Sequence, residues 1–322
     1  MNILYLYHDY ADRGKRDGEV MKSLGHNVRY YGIESKSKKG KIPITNLKGI
    51  DLVWSLSTFY NYYGAMDEDF ISEIKKRQVL LVTYTTISTM HPLQEWARTF
   101  DIYDYVFLHN KEIAARLNNP KIGYMPSGYH PDQYYPVNKK LKYDISFMGS
   151  PQTNLPTEQD LRCQILKLVA DKYPIRIYGK QFANRLKGVK VFPFKSHKEQ
   201  RDVYNSTLIN LDIPFINSPL DDYRKLLHLK NRFFEVPACK SFLLTMRFPE
   251  AEDILKDKVH CAYYDNPDDL LDKIAYYLKR PHEAQEIAER GYIEMKNKHT
   301  FRHRFERMFE IIEGGAIQGR RK

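Results

Sequence analysis

The stretch LKNRFFEVPACKSFLLT, residues 229–245, places two charged side chains inside a run that is otherwise apolar. If residues 231–239 form a helix, Arg232 and Glu235 lie three positions apart on one face, and the phenylalanines between them cover the others. The two charges could pair with each other, although a buried ion pair often gains little over hydrophobic packing. A ligand with phosphate and hydroxyl groups explains them better, because arginine matches phosphate and a carboxylate accepts hydroxyl hydrogens.

Outward from this stretch, short apolar runs alternate with amphipathic segments along the whole chain. YDISFMGS, IRIYG, VKVFPF, LINLDIPF and SFLLT read as strands in the second half, and NILYLY, NVRYYGI, IDLVWSLS, VLLVTY and YDYVFLH in the first. Strands that alternate with helices indicate parallel α/β sheets. At 322 residues the chain exceeds the usual size of one hydrophobic core.

The turn-rich stretch PSGYHPDQYYPVNKKLKY interrupts this alternation and indicates a domain boundary. We therefore predict an α/β protein with two tandem Rossmann-like domains that face a cleft. The predicted domains are 1–138, an N-terminal Rossmann-like domain, and 139–302, a C-terminal Rossmann-like domain, followed by a helix and basic tail over 303–322.

Several classes of protein are disfavoured. The sequence has no apolar run of the roughly 20 residues that cross a bilayer, and its first residues lack the features of a secretory signal, so we expect a cytoplasmic protein without an integral membrane segment. The three cysteines are scattered and no metal-binding motif is present, so we expect free thiols and no metal. The glycine fingerprints of dinucleotide oxidoreductases and P-loop enzymes are also missing.

The formal net charge is +11, and the densest basic run is KSKKGK, with Lys36, Lys38, Lys39 and Lys41. This run is either a solvated loop or part of a basic surface for a polyanion such as nucleic acid, an anionic wall polymer or acidic lipid.

Candidate site residues lie where predicted strands end, since ligands of α/β sheets bind at the carboxyl ends of strands. In the first domain the candidates for a general base are His8, Asp9, His91 and His109. In the second domain Gly149, Ser150, Gly179, Lys180 and Phe194 lie where a nucleotide could enter. Glycine lets the backbone approach a ligand and lysine adds charge for a phosphate, although both glycines could equally be tight turns.

The order Arg232-Phe-Phe-Glu235-x-x-Ala238-Cys239, followed by FLLT, EAEDILKD, CAYYDNPDDLLDKIAYYL and HTFRHRFERM, resembles the C-terminal domain of GT-B glycosyltransferases. The likeness is strongest to the CgeB-like (spore-maturation-protein-like) group and spans about residues 142 to 312. The first domain resembles the family more loosely, through GHNVRYYGI, YDYVFLHNKEIAARL and YMPSGYHPDQYYP.

The resemblance implies a nucleotide-sugar donor held by the second domain, a hydroxyl acceptor held by the first, and no metal or other cofactor. It implies that Glu235 holds the donor's ribose, that Arg232 lies near its diphosphate, and that Phe194 belongs to the segment whose backbone reads the nucleobase. The expected acceptor is a hydroxyl group, with DNA bearing hydroxymethylated bases, an anionic glycan or a lipid-linked glycan as options.

The sequence departs from the family pattern at three positions. Leu227 replaces the first glutamate of the two-glutamate motif of many retaining relatives, which leaves retention or inversion open and keeps a non-catalytic GT-B-shaped binding protein as the alternative function. Lys240 replaces a glycine, so it must avoid a left-handed backbone or accept a cost of about 1 kcal/mol. Pro237 cannot donate a helical hydrogen bond, so we expect the helix to begin near 233 or to bend.

Overall fold

The computed structural model of the chain describes residues 1–8, 13–33, 41–56, 66–86, 93–152, 155–193, 196–215 and 226–315. The packing divides the chain into two units. Unit 1 consists of Met1–Pro126 together with Phe301–Lys322, and unit 2 consists of Ser127–Thr300. Within the described ranges, no helix has the length and apolar character to cross a membrane.

Helices alternate with strands in both units. In the described ranges they are α1 (Arg13–Ser23), α2 (Glu68–Lys76), α3 (Leu93–Phe100), α4 (Lys111–Leu117), α5 (Leu161–Lys172), α6 (His197–Tyr204), α7 (Asn231–Ala238), α8 (Pro249–Glu252), α9 (Pro267–Lys279), α10 (Pro281–Lys298) and α11 (Phe301–Glu313). Several begin at a side chain that accepts hydrogen bonds from first-turn N–H groups, namely Asp67, Asn110, Asp160 and Asn266. Such caps satisfy donors that the helix itself leaves unpaired, which explains where these helices start.

Unit 1 contains a six-stranded parallel sheet in the order β2-β1-β3-β4-β5-β6. Its strands are β1 (Asn2–His8), β2 (Asn27–Ile33), β3 (Leu52–Ser55), β4 (Leu80–Thr85), β5 (Tyr105–Leu108) and β6 (Ile122–Tyr124). Every residue of β3 and β5 is buried. Strands of this kind read as continuous apolar runs because helices cover both faces of a parallel sheet.

The C-terminal helix α11 belongs to unit 1. Its apolar residues recur at helical spacing and are buried, and the rings of Phe305 and Phe309 lie 5.3 Å and 5.4 Å from the ring of Trp54 in β3. The sequence set 303–322 apart as a separate segment, but this apolar stripe completes the core of unit 1.

Unit 2 contains a second six-stranded parallel sheet, in the order β12-β11-β10-β7-β8-β9. Its strands are β7 (Tyr143–Met148), β8 (Ile175–Tyr178), β9 (Val191–Phe192), β10 (Thr207–Asp212), β11 (Leu243–Met246) and β12 (Ala262–Tyr264). Alternate residues of β7 face two different cores: Phe147 belongs to one and Met148 to the other.

Strands β7 and β10 are neighbours in this sheet, although β8 and β9 lie between them in the sequence. From β7 the chain proceeds toward one edge of the sheet, and from β10 it proceeds toward the other. Such a reversal separates the two loops at the carboxyl ends of the strands and leaves a crevice in which ligands of open α/β sheets bind.

The predicted fold class, with two parallel α/β units, is confirmed. The packing divides the chain at Pro126 and Thr300 rather than at the predicted 138 and 302. The first difference arises because Tyr129 and Tyr134 are buried in a core of unit 2.

Candidate functional site

The candidate site lies at the carboxyl ends of β7 and β10 in unit 2. Gly149 directly follows β7, Asp212 is the last residue of β10, and Arg232 lies in the first turn of α7. We call the place between the carboxyl ends of β7 and β10, where the strand order reverses, the reversal point. The structure brings two predicted site residues, Gly149 and Arg232, to it, together with Asp212, which the sequence did not single out.

Two glycines allow the backbone of this site to pack closely. The N–H of Gly149 donates to the carbonyl oxygen of Tyr178, at 2.9 Å. A Cβ atom at Gly149 would lie 2.3 Å from Nη2 of Arg232, and one at Gly179, where φ is 152°, would lie 2.0 Å from the carbonyl oxygen of Gly149. Any larger residue would collide at either position, so glycine is needed to seat the arginine beside the loop.

Arg232 pairs with Asp212. Its Nη1 donates to Oδ1 of Asp212 at 2.6 Å, and its guanidinium carbon lies 4.7 Å from the centre of the Phe147 ring. The second carboxylate oxygen of Asp212 accepts a hydrogen bond from the Thr245 hydroxyl at 3.0 Å. Pairing of Arg232 with Glu235, which the spacing allowed, is not what the structure shows. Instead, the buried aspartate fixes one edge of the guanidinium.

Glu235 lies in a different environment from Arg232, although both belong to α7. The side chain of Glu235 is buried, and its Oε2 accepts a hydrogen bond from the Tyr204 hydroxyl at 3.2 Å. Burial, and after it the charge of Glu235, raise the pKa values of both Tyr134 and Tyr204. The carboxylate thus sits beside two tyrosines whose hydroxyl groups stay protonated at ordinary pH.

A buried arginine that the sequence did not single out joins the two loops of the site. Arg162, in the first turn of α5, donates through Nη1 to the carbonyl oxygen of Ser150, through Nε to that of Ile213 at 3.2 Å, and through Nη2 to that of Phe215 at 2.6 Å. These carbonyl groups follow β7 and β10. One guanidinium therefore holds both sides of the reversal point, which uses the fork of donors that only arginine has.

The site carries an excess of positive charge. Lys230, just before α7, has a pKa lowered to about 7 by burial of its ammonium group and then by the charges of Arg162 and Arg232, while Asp212 acts in the opposite direction. Burial, followed by the charge of Arg232, lowers the pKa of Arg162 to about 10. Cations that disfavour one another in this way would be stabilised by an anion placed between them.

The remaining predicted residues of unit 2 have simpler surroundings. Ser150 contributes its carbonyl oxygen to Arg162, and Lys180 is exposed in the short 3-10 turn Lys180–Phe182. Phe194 lies outside the described residues.

The predicted bases of unit 1 are described only in part. Asp9 and His91 lie outside the described residues, and of His8 only the backbone, as the last residue of β1, is described. His109 follows β5, and its ring contacts the ring of Tyr84 edge to face, with the centres 4.4 Å apart. His109 is buried, with 6% of its surface exposed. Its role as a base stays a prediction.

Residues 161–310 match the sequence model of a family described as glycosyl transferase-like. Among curated proteins, none matches this sequence. The matched segment contains α5, β10 and α7, and with them Arg162, Asp212, Arg232 and Glu235.

Solved structures resemble the whole chain. A glycosyltransferase from Rickettsia africae ESF-5 is 14% identical, with a TM-score of 0.68 over 99% of each chain. HepE of Anabaena, solved in complex with UDP and glucose, is 9% identical, with a TM-score of 0.67 over 98% of this chain and 100% of its own. Sucrose-phosphate synthase of Thermosynechococcus elongatus is 10% identical, also with a TM-score of 0.67 over 98% of this chain and 100% of its own.

The chain has the GT-B fold, with two parallel α/β units. In the second unit, the cations at the reversal point favour the binding of an anion. Residues 161–310, somewhat less than half of the chain, are similar to a family described as glycosyl transferase-like, which agrees with the sequence resemblance.

Proposed function

We propose that the protein transfers a sugar from a nucleoside-diphosphate donor to a hydroxyl acceptor, and that unit 2 holds the donor at the reversal point between β7 and β10. The observation that carries this proposal is the group of Arg162, Lys230 and Arg232 around that point, against the paired carboxylate of Asp212. A bound diphosphate supplies negative charge that balances these three cations. The UDP complex of HepE, which has the same fold, supports a uridine nucleotide as the first donor to test.

In this proposal each residue has a distinct task. Arg232 and Lys230 bind the diphosphate and stabilise the charge that develops on it as the sugar leaves. Glu235 binds the ribose hydroxyls, and the backbone near Phe194 reads the nucleobase. The bond from the anomeric carbon to the diphosphate oxygen breaks, a bond to the acceptor oxygen forms, and the acceptor's proton passes to a base. If the reaction inverts configuration, His8, Asp9, His91 or His109 is that base.

The acceptor is proposed from composition alone. The net charge of +11 favours a polyanionic acceptor such as hydroxymethylated DNA or an anionic glycan. Binding of DNA should weaken steeply between low and moderate salt, because phosphate contacts release counterions. An affinity that does not change with salt would remove DNA from the proposal. Membership of the CgeB-like group and a cytoplasmic location likewise stay predictions from the sequence.

Arginine-to-lysine substitution tests the donor site. Arg232→Lys keeps the charge but loses the fork that reaches both Asp212 and the space beside Gly149, so we expect the affinity for UDP to fall by about 10-fold or more. Arg247→Lys is the matched control, because Arg247 also binds a carboxylate (Asp265, 2.8 Å) and lies over a tyrosine ring (Tyr263, 5.2 Å) elsewhere in unit 2.

Calorimetry with UDP, GDP, CDP and TDP measures these affinities, and thermal melts show whether each variant folds. Equal loss of affinity in both variants would contradict the assignment of Arg232. Release of free sugar or nucleoside diphosphate from a donor without acceptor distinguishes an enzyme from a binding protein, since a protein that only binds releases neither.

A further inference from the structure

A hydrogen-bonded group of side chains lies behind Glu235 in unit 2. Helix α6 presents His197, Gln200 and Tyr204 at positions i, i+3 and i+7, which lie on one face of a helix. Tyr204 donates to Oε2 of Glu235 at 3.2 Å. The hydroxyl of Tyr134 lies 2.8 Å from Nδ1 of His197 and donates to Oε1 of Gln200 at 3.0 Å.

The start of α6 is held firmly. Ser196 and Glu199 form a reciprocal capping box, in which the Ser196 hydroxyl accepts from the N–H of Glu199 and the Glu199 carboxylate accepts from the N–H of Ser196. Tyr204 and Tyr134 are each only 3% exposed. The hydroxyl that reaches Glu235 therefore comes from a buried side chain on an element whose start is fixed.

This arrangement matters because a glutamate cannot fix its own carboxylate plane. Its last torsion joins a tetrahedral and a planar carbon and has a broad energy profile, so the plane rotates unless a partner holds it. Tyrosine is a suitable partner, since its ring has only two side-chain torsions. A carboxylate has about four acceptor positions, of which the bond from Tyr204 uses one.

We propose that Tyr204, supported by Tyr134 and the α6 face, orients the carboxylate of Glu235 so that it accepts both ribose hydroxyls of the donor nucleotide. Tyr204 is then a positioning residue for the choice of ribose over 2′-deoxyribose. A carboxylate aligned for two hydroxyls loses one of them with a deoxynucleotide, whereas a rotating carboxylate distinguishes the two sugars less well. This inference rests on the proposed function, because it needs a donor nucleotide at the site.

The test compares the affinities of UDP and 2′-deoxy-UDP for the wild type, Tyr204→Phe and Glu235→Gln by calorimetry, with the GDP and CDP pairs measured in the same way. In Tyr204→Phe we expect the ratio of ribose to deoxyribose affinity to fall by about 3- to 10-fold, the value of one hydrogen bond. Glu235→Gln should lower the same ratio. The double variant should lower it no further than Glu235→Gln alone, because Tyr204 acts through Glu235.

Tyr263→Phe is the matched control. The hydroxyl of Tyr263 also makes a buried hydrogen bond in unit 2, to the carbonyl oxygen of Leu255 at 2.9 Å. Both tyrosine variants lose one such bond, so both should melt at a slightly lower temperature than the wild type, but only Tyr204→Phe should change the sugar ratio.

The outcomes separate the inference from the proposed function. If the wild type binds none of the nucleoside diphosphates, the proposed function fails. If the wild type prefers the ribose form and Tyr204→Phe keeps the same preference, or weakens both forms equally, Tyr204 has only a structural role and the inference is overturned.

Discussion

Replacement of Lys240 by glycine should stabilise the protein. Lys240 follows helix α7 with φ of 56°, in the left-handed region that side chains with a Cβ atom disfavour. Its N–H donates to the carbonyl oxygen of Pro237 at 2.8 Å, and the N–H of Ser241 donates to that of Val236 at 3.3 Å. This pair of bonds is the Schellman motif, in which glycine is the usual residue at the position of Lys240.

The size of the effect follows from three terms. Relief of the left-handed strain contributes about 1–2 kcal/mol, while the greater freedom of glycine in the unfolded chain costs about 0.5–1 kcal/mol. Lys240 also pairs with Glu289 at 2.7 Å, and with side chains 34% and 49% exposed this pair contributes about 0–1 kcal/mol. In a Glu289→Gln background, where that pair is absent, we expect Lys240→Gly to raise the free energy of unfolding by about 0.5–1 kcal/mol.

Urea unfolding of the wild type, Lys240→Gly, Glu289→Gln and the double variant measures this gain. The comparison holds if the dependence of the unfolding free energy on urea concentration is the same in all four. Lys240→Ala in the same background is the control, because alanine also lacks the ion pair but keeps the strained Cβ atom. If the glycine variant is no more stable than the alanine variant, backbone strain at Lys240 is not the cause of any difference.

Two further predictions concern the donor site. The pKa of Lys230 is lowered to about 7 from an ordinary value of 10.5, so the unfolded chain holds this proton more tightly and the free energy of unfolding should rise as pH increases from about 7 toward about 10. Urea titrations at several pH values should show this rise in unfolding free energy in the wild type and a smaller rise in Lys230→Met. The affinity for UDP should fall over the same pH interval, because the ammonium charge of Lys230 is lost. For the transfer itself we propose no metal requirement, so prior treatment with EDTA should leave the rate unchanged, and a loss that Mg²⁺ or Mn²⁺ restores would contradict the proposal.

The sequence was sufficient to predict those features that depend on neighbouring residues. Alternation of apolar strands with amphipathic helices is a local pattern, and it predicted the two parallel sheets. At Lys240 the family pattern left two outcomes open, avoidance of a left-handed backbone or acceptance of its cost, and the structure shows the second, with φ of 56°. Pro237 was less informative: the helix begins at Asn231, earlier than expected, and continues through Pro237, which has no N–H to donate to the carbonyl group four residues earlier.

Partners that are distant in sequence were decided by the tertiary structure alone. Spacing within one helix suggested that Arg232 could pair with Glu235, whereas the arrangement of the sheet brings Asp212, twenty residues earlier, to the arginine. Arg162 could not be singled out either, because its three carbonyl partners come together only when β7 and β10 become neighbours. A sequence pattern records which residues are apolar or charged, but the reversal of strand order determines which charges meet.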